Sequence, residues 1–228
     1  GKIPYYLTLV MRQAHQSNPD SEIVLVTDKN TRVDRFIKKI KLDGYNKQSE
    51  TLSSLYQHMS SNTYEFELFC IQRWFVLLEL MEKYHMNQVV VCDSDYMQYT
   101  NVNKIIKMMN KKSLICVPNQ QYELSFTASA HFSIWHHFHL KRFTLFVKEI
   151  YVNNINVIKK KWVWHQKNNM PGGVCDMSLL YLFYQQNPTF FLNGLAVKAE
   201  SCVDQSIKDS NIYQYNNKEY FKKKINRN

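Results

Sequence analysis

The chain contains no run of about 18 or more apolar residues, the length a membrane-spanning helix needs. Its first residues carry no charged, apolar and then small-residue leader. Internal repeats, low-complexity linkers and helix-turn-helix, finger or RNP-like signatures are also missing. Cysteine is sparse and odd in number: Cys70, Cys92, Cys116, Cys175 and Cys202 are five, with no CxxC spacing and no ligand-spaced histidines around them. It reads as reduced thiols in a cytosolic protein, mostly small buried hydrophobes. The chain opens on Gly1 rather than Met, so the expectation is an excised segment.

What is present suffices for a core: 228 residues, 45% apolar and 14% aromatic. The simplest organisation is a single domain over 1–228, with a first half to 118, a second half over 119–210 and a basic tail over 211–228. Basic residues outnumber acidic ones 29 to 19, a net charge of +10. Such an excess favours a nucleoside diphosphate, an anionic membrane surface met peripherally, or nucleic acid. Part of it lies in the runs 159–161 and 222–224, read here as solvated faces.

Residues 3–14 space Leu7, Val10, Met11 and Ala14 as an amphipathic helix with Pro4 in its first turn. EIVLVTD, 22–28, reads as a buried strand ending in an acid. Helix then strand is half of a βαβ unit, which places a first strand before Gly1. Val33, Phe36, Ile37 and Ile40 predict a short helix over 30–40, and 41–61 reads as polar loop. The three- and four-residue spacing of Phe66, Phe69, Cys70, Trp74, Leu77, Leu78 and Met81 predicts a long helix over 64–86. A strand follows at 88–92, then a helix near 102–110 and a strand at 113–117. Aromatic spacing predicts a helix over 131–151, broken near Lys141. A loop with Pro171, Gly172 and Gly173 leads to Asp176 as N-cap of a helix over 177–186, and 190–198 reads as a strand pair. Strands separated by helices predict an α/β fold: a mostly parallel central sheet with helices on both faces and a more irregular C-terminal half. Ligands in such sheets bind beyond the carboxyl ends of the strands.

The strongest chemical signal is QVVVCDSDY, residues 88–96. Four apolar residues run into Asp93, Ser94 and Asp95, and in extended chain an i, i+2 pair sends both carboxylates to one side. They repel unless a cation sits between them. Hard Mn²⁺ or Mg²⁺ accepts such oxygen ligands and shares its shell with nucleotide phosphates. An acidic turn closing a strand is the plain alternative. Asp176 is either an N-cap or, in an inverting reaction, a general base toward an acceptor hydroxyl. The glycines before it permit close approach by a sugar. His131, His136, His137 and His139 cluster without a matching third metal ligand at the His136/His139 spacing, which favours aromatic packing or an acceptor-site lining. Trp135, Trp162 and Trp164 stack on sugars or fill the core.

The segment ELFCIQRWFVLLELMEKYHMNQVVVCDSDYMQYTNV resembles the part of GT-A glycosyltransferases in which an Arg-bearing helix leads to a strand and a DxD motif. KIPYYLTLVMRQAHQSNPDSEIVLVTD is similar to the first helix and second strand of such nucleotide-sugar enzymes. SAHFSIWHHFHLKRFTLFVKEIY and GGVCDMSLLYLF resemble later blocks of poorly characterised bacterial and large-virus glycosyltransferase-like proteins. The resemblance implies a GT-A-like, Rossmann-like sheet whose first half, 1–118, binds nucleotide and whose second, 119–210, faces the acceptor. It implies a UDP- or GDP-linked sugar donor, a glycan or glycoconjugate acceptor and a divalent Mn²⁺ or Mg²⁺; the cytoplasmic setting is expected from the reduced thiols. It implies that Asp95 ligates the metal, that Asp93 contacts ribose or metal with Ser94 between them, that Asp28 lies near the base and that Arg73 faces the DxD turn. Arg73 pairing with Glu67 or Glu79 on a solvated face is the competing reading. Asp204, in the region of a late polar site residue, is a further metal candidate. A haloacid-dehalogenase-type phosphatase also places DxD after a strand, but Met97 stands where that family has Thr or Val. A basic nucleic-acid binder explains the charge and leaves DSD unexplained.

Overall fold

The computed structural model describes residues 4–30, 32–42 and 47–196, and the backbone of 212–215 and 218–221. Asp204 and Cys202 lie outside them. The chain begins with α1 (Tyr5–Ser17), whose N-cap is Pro4, and β1 (Ile23–Thr27) follows. Next comes β2 (Ile37–Lys41), parallel to β1 with Ile23 opposite Ile37. The predicted helix over 30–40 is therefore absent. Ile37 and Ile40 are both buried three residues apart, a spacing that reads as helical, but they face different layers. Ile37 packs with Leu7 and Met11 of α1, whereas Ile40 packs with Leu80. The region read as polar loop contains α2 (Lys47–Leu55), held down by the fully buried Leu52.

The long helix forms as expected, α3 (Tyr64–Lys83). Thr63 caps it by accepting from the Phe66 N–H, satisfying one of the open amides of the first turn. Ile71, Trp74, Phe75, Leu78 and Met81 face the core. One turn later β3 (Gln88–Cys92) begins, followed by α4 (Val102–Met108) and β4 (Ser113–Cys116). The next element corrects the sequence reading. Residues 129–136 are β5 (Ser129–His136), and only then does α5 (His137–Val152) start. Period-2 alternation explains this: Phe132 and Ile134 join the cluster around α4, while Trp135 joins the opposite one. Then come α6 (Ile155–Lys167), α7 (Asp176–Gln186) and β6 (Phe191–Asn193), the last flanked by 3-10 turns where a strand pair was expected. β7 (Ile212–Tyr215) pairs antiparallel with β8 (Lys218–Phe221).

The central sheet has the order β3-β5-β4-β6. β5 is antiparallel to both neighbours and β4 is parallel to β6, so three strands run one way and β5 runs against them. This is a mixed α/β sheet, not the mostly parallel one expected. The reason is β5, which enters between β3 and β4 as a strand where aromatic spacing had suggested a helix. Helices do cover both faces: α4 on one, and α3, α5 and α7 on the other around Trp74, Trp135, Phe143 and Leu179. Among the described residues no helix is long and apolar enough to cross a membrane.

The run 159–161 also needs correction. Lys159 and Lys160 are exposed, but Lys161 is 1% exposed, donates to the Phe126 carbonyl and lies 4.4 Å from that residue's ring centroid. Burial pushes its ammonium down to about 8.

Candidate functional site

The site is built where β3 ends. The antiparallel register of β3 and β5 pairs Cys92 with Phe132 and continues one step, the Asp93 N–H donating to the His131 carbonyl at 2.8 Å. On its other edge β5 slips register against β4 between Leu114 and Cys116. Such irregularities re-aim side chains near functional positions. Asp93 thus lies beside His131, 38 positions away in sequence, and their side chains bond through His131 Nδ1 and Asp93 Oδ2.

Asp93 does not continue the extended chain. The Tyr96 N–H donates to its carbonyl at 3.0 Å and closes a turn over residues 93–96, so the extended i, i+2 geometry does not occur. Ser94 and Asp95 are exposed at the tip. The repulsion between the two acids is relieved locally, because Arg73 Nη1 donates to Asp93 Oδ1 at 2.8 Å and His131 holds Oδ2. Burial raises the Asp93 carboxyl, but the His131 hydrogen bond and the Arg73 charge together bring it below its ordinary range. In return, the hydrogen bond to Asp93 raises the His131 imidazole against the smaller effect of its burial.

Arg73 belongs to neither solvated pairing considered from sequence. Its Nη2 donates to Asp176 Oδ2 at 2.7 Å, so one guanidinium bridges the β3 turn and the start of α7. Burial lowers the Arg73 guanidinium, yet the charges of Asp176 and Asp93 outweigh that and leave it raised. Asp176 is the first residue of α7 and not its cap; Cys175 occupies the N-cap. Its side chain is 5% exposed, and the same Oδ2 accepts from Trp74 Nε1 at 3.1 Å. With that oxygen committed twice, Asp176 orients Arg73, and a carboxylate at the first turn also suits the helix dipole.

The glycines before α7 serve packing. Gly173, at φ +146°, forms a bridge with Ser60, and a Cβ there would fall on the Met59 carbonyl and 2.8 Å from Ser60 Cα. Gly172 (φ +91°) exchanges hydrogen bonds with Ser61, accepting from its N–H and donating to its Oγ.

Asp28 lies apart from this cluster's hydrogen bonds. It is exposed at the carboxyl end of β1, where Lys29 at 2.8 Å holds its carboxyl low, and it lines a surface cavity of about 360 Å³ with Thr27, Asn30, Lys39 and Lys41. His136 bonds Gln88 and His139 bonds the Ser113 hydroxyl, while the His139 ring stacks on Phe190 at 4.6 Å. Burial pushes His139 down to about 4, so it is neutral packing. Trp135 is fully buried.

As a cation site the donor set is small. No group of three or more His, Cys, Asp or Glu among the described residues could hold an ion unaided. Asp95 is exposed and takes no hydrogen bond or ion pair among the described residues, whereas both Asp93 oxygens carry donors. This fits a hard dication held mainly by phosphate oxygens and water with one protein carboxylate, the usual habit of Mg²⁺.

His131 and Trp74 are the partners that sequence reasoning missed. The alternation in SAHFSIWH was the available signal for His131; nothing local marks Trp74 as a donor to an acid 102 positions away.

No protein-family model matches this chain, and no curated protein matches it in sequence. Among solved structures it is similar to mouse xyloside xylosyltransferase 1 in the apo form, with a TM-score of 0.46 and 8% identity, over 69% of this chain. It spans 62% of that chain.

Proposed function

We propose that this protein transfers a glycosyl group from a UDP- or GDP-linked sugar to a hydroxyl of a glycan or glycoconjugate. One observation carries the reading: at the carboxyl end of β3, Asp95, an exposed carboxylate that takes no hydrogen bond among the described residues, sits in the same turn as Asp93, which Arg73 and His131 flank. Cationic groups and an oxygen ligand at one point suit a diphosphate that arrives with a dication.

In the reaction the acceptor oxygen bonds to the anomeric carbon as the bond from that carbon to the diphosphate oxygen breaks. The electron pair leaves on the diphosphate, and the hydroxyl proton passes to a base or to water. Charge therefore grows on the leaving group, and donors fixed beforehand stabilise it most. Arg73 is so fixed, by Asp93 on one side and Asp176 on the other. His131, whose imidazole is raised chiefly by its hydrogen bond to Asp93, adds a second donor at the rim. Mn²⁺ or Mg²⁺ would be held by Asp95 with Asp93 beside it, and would supply Lewis-acid stabilisation of the departing diphosphate. Asp28 and its cavity are assigned to the base. Asp176 acts as the positioning residue for Arg73 through Oδ2.

Calorimetric titration with UDP and GDP tests the reading. Binding is expected only with Mn²⁺ or Mg²⁺, and Asp95→Ala is expected to abolish it without lowering the melting temperature. Equal, cation-independent affinity in both proteins would overturn the assignment.

A further inference from the structure

Two strands of the fold have sequences suited to a sheet interior, yet each keeps an open edge. β1 bonds to β2 and β3 to β5, so each stands at the end of its sheet, and among the described residues no backbone hydrogen bond reaches either from the other side. Both are almost wholly apolar, IVLVT and QVVVC, the composition of strands covered on both faces. None of their residues is buried, and Val24 is 36% exposed, whereas β4 and residues 132–135 of β5 are buried throughout. The other two outer strands are guarded: β2 carries Lys38, Lys39 and Lys41, and β6 is three residues long, both usual devices against edge pairing. β1 and β3 have neither.

The two open strands lie between the same helical layers. On one side α3 covers both, with Val76 and Leu80 against Val26 and Ile40, and with Trp74 and Leu78 in the cluster that takes in Val89 and Val91. On the other side Leu7 and Met11 of α1 pack with Ile23 and Leu25, and the cluster around α4 takes in Val90. α1 is fastened to the chain that leads from β3 into α4: Ser17 Oγ donates to the Gln98 carbonyl at 2.8 Å, and Asn18 Oδ1 accepts from the Val102 N–H at 2.7 Å. β2 with its lysines forms the outer margin, which leaves the β1 edge toward β3. Two rows of open N–H and C=O groups in one layer are answered by an extended backbone that bonds both ways and is apolar above and below.

We propose that a further strand, apolar on both faces and parallel to β1, inserts between β1 and β3 and joins the two sheets, and that it is the stretch of polypeptide leading into α1. A strand followed by α1 and then β1 forms a right-handed crossover unit, the connection that parallel strands take almost without exception. Its carboxyl end falls between Asp28 after β1 and Asp93 after β3, so it closes the floor of the candidate donor site. That last point rests on the glycosyl-transfer reading; the insertion itself does not.

The experiment compares the chain 1–228 with the same chain carrying, ahead of Gly1, a strand of about six valines and isoleucines and a linker of about four glycines and serines. A third protein has glycine and serine in place of the strand. Amide hydrogen exchange read by mass spectrometry, sedimentation velocity, and calorimetry with UDP and GDP in Mn²⁺ are applied to all three. Exchange in both β1 and β3 is expected to slow at least about tenfold in the strand-bearing chain alone. β4 should be unchanged, all three proteins monomeric, and nucleotide bound several-fold more tightly by the strand-bearing chain. Unchanged exchange, or protection of only one of the two strands, overturns the insertion. Slow exchange in 1–228 that is lost as a dimer dissociates on dilution also overturns it, since a second copy then covers the edges. Protection of both strands with equal nucleotide affinity in all three overturns the place given to the strand in the donor site. Protection of both with no nucleotide bound by any leaves the insertion standing and overturns the glycosyl-transfer reading.

Discussion

Arg73 and Asp176 lie 103 positions apart in sequence and meet at 2.7 Å where α3 passes the first turn of α7. This pair, continued to Asp93, fastens the acidic turn to the helical layer. Removing one partner of such a pair leaves a carboxylate out of water with its charge unanswered. Arg73→Ala should therefore cost about 3 kcal/mol of unfolding free energy. Arg73→Ala/Asp176→Asn should recover part of it, because the remaining buried group is then neutral. Urea denaturation of the wild type and the variants measures both.

Asp93 and Asp95 are predicted to differ although one serine separates them. Asp93→Asn breaks contacts to Arg73 and His131 and should lower the melting temperature. Asp95→Asn touches no such partner and should leave it unchanged while weakening metal-dependent nucleotide binding. Thermal melts with and without UDP and Mn²⁺ separate the two effects.

His131 gives a pH signature. Its folded-state affinity for a proton is raised above the ordinary value of 6.5, chiefly by the hydrogen bond to Asp93. The stabilisation is complete below pH 6.5 and disappears as pH rises through the higher folded value. Asp93 is shifted the other way from 3.8, so its contribution holds above that pH and is lost as pH falls through its lower folded value. Stability measured from pH 6 to 9 should decline less steeply in His131→Ala. Because His131 is 48% exposed, the effect should be small and sensitive to salt.

Lys161 should behave oppositely. Its ammonium is lowered from 10.5 to about 8, so the unfolded chain binds the extra proton between those values and the fold gains stability as pH rises. Lys161→Met removes this dependence. The difference in unfolding free energy, wild type minus variant, is expected to increase from pH 8 to pH 10.

Gly172 and Gly173 are predicted to tolerate alanine unequally. At Gly172 the nearest atom to an added Cβ is His165 Cε1 at 3.8 Å, which leaves backbone strain of about 1 kcal/mol. At Gly173 the Cβ would collide with backbone at Met59 and Ser60, and roughly 3 kcal/mol or more is expected. Denaturant midpoints rank the two.

Much of the scaffold was legible where a local pattern had only one reading. The long helix over Trp74 and Leu78 and the strand VVVC were both placed, because a run of three- and four-residue spacings or a short apolar run ahead of acids admits little else. Ile37 and Ile40 misled because their shared burial is against two different layers. SAHFSIWH misled because its aromatics satisfy both helical and alternating spacing, and only pairing with β3 and β4 selects the strand.

By itself the sequence determined that two acids follow an apolar strand and that a basic residue rides on the helix before it. Those follow from covalent order and local periodicity. The tertiary structure alone decided what answers the charge: Arg73 turned inward to two acids, and His131 set beside Asp93 by antiparallel register. Such neighbours are chosen by which elements pack together to bury Trp74 and Trp135, and no short-range pattern encodes that choice.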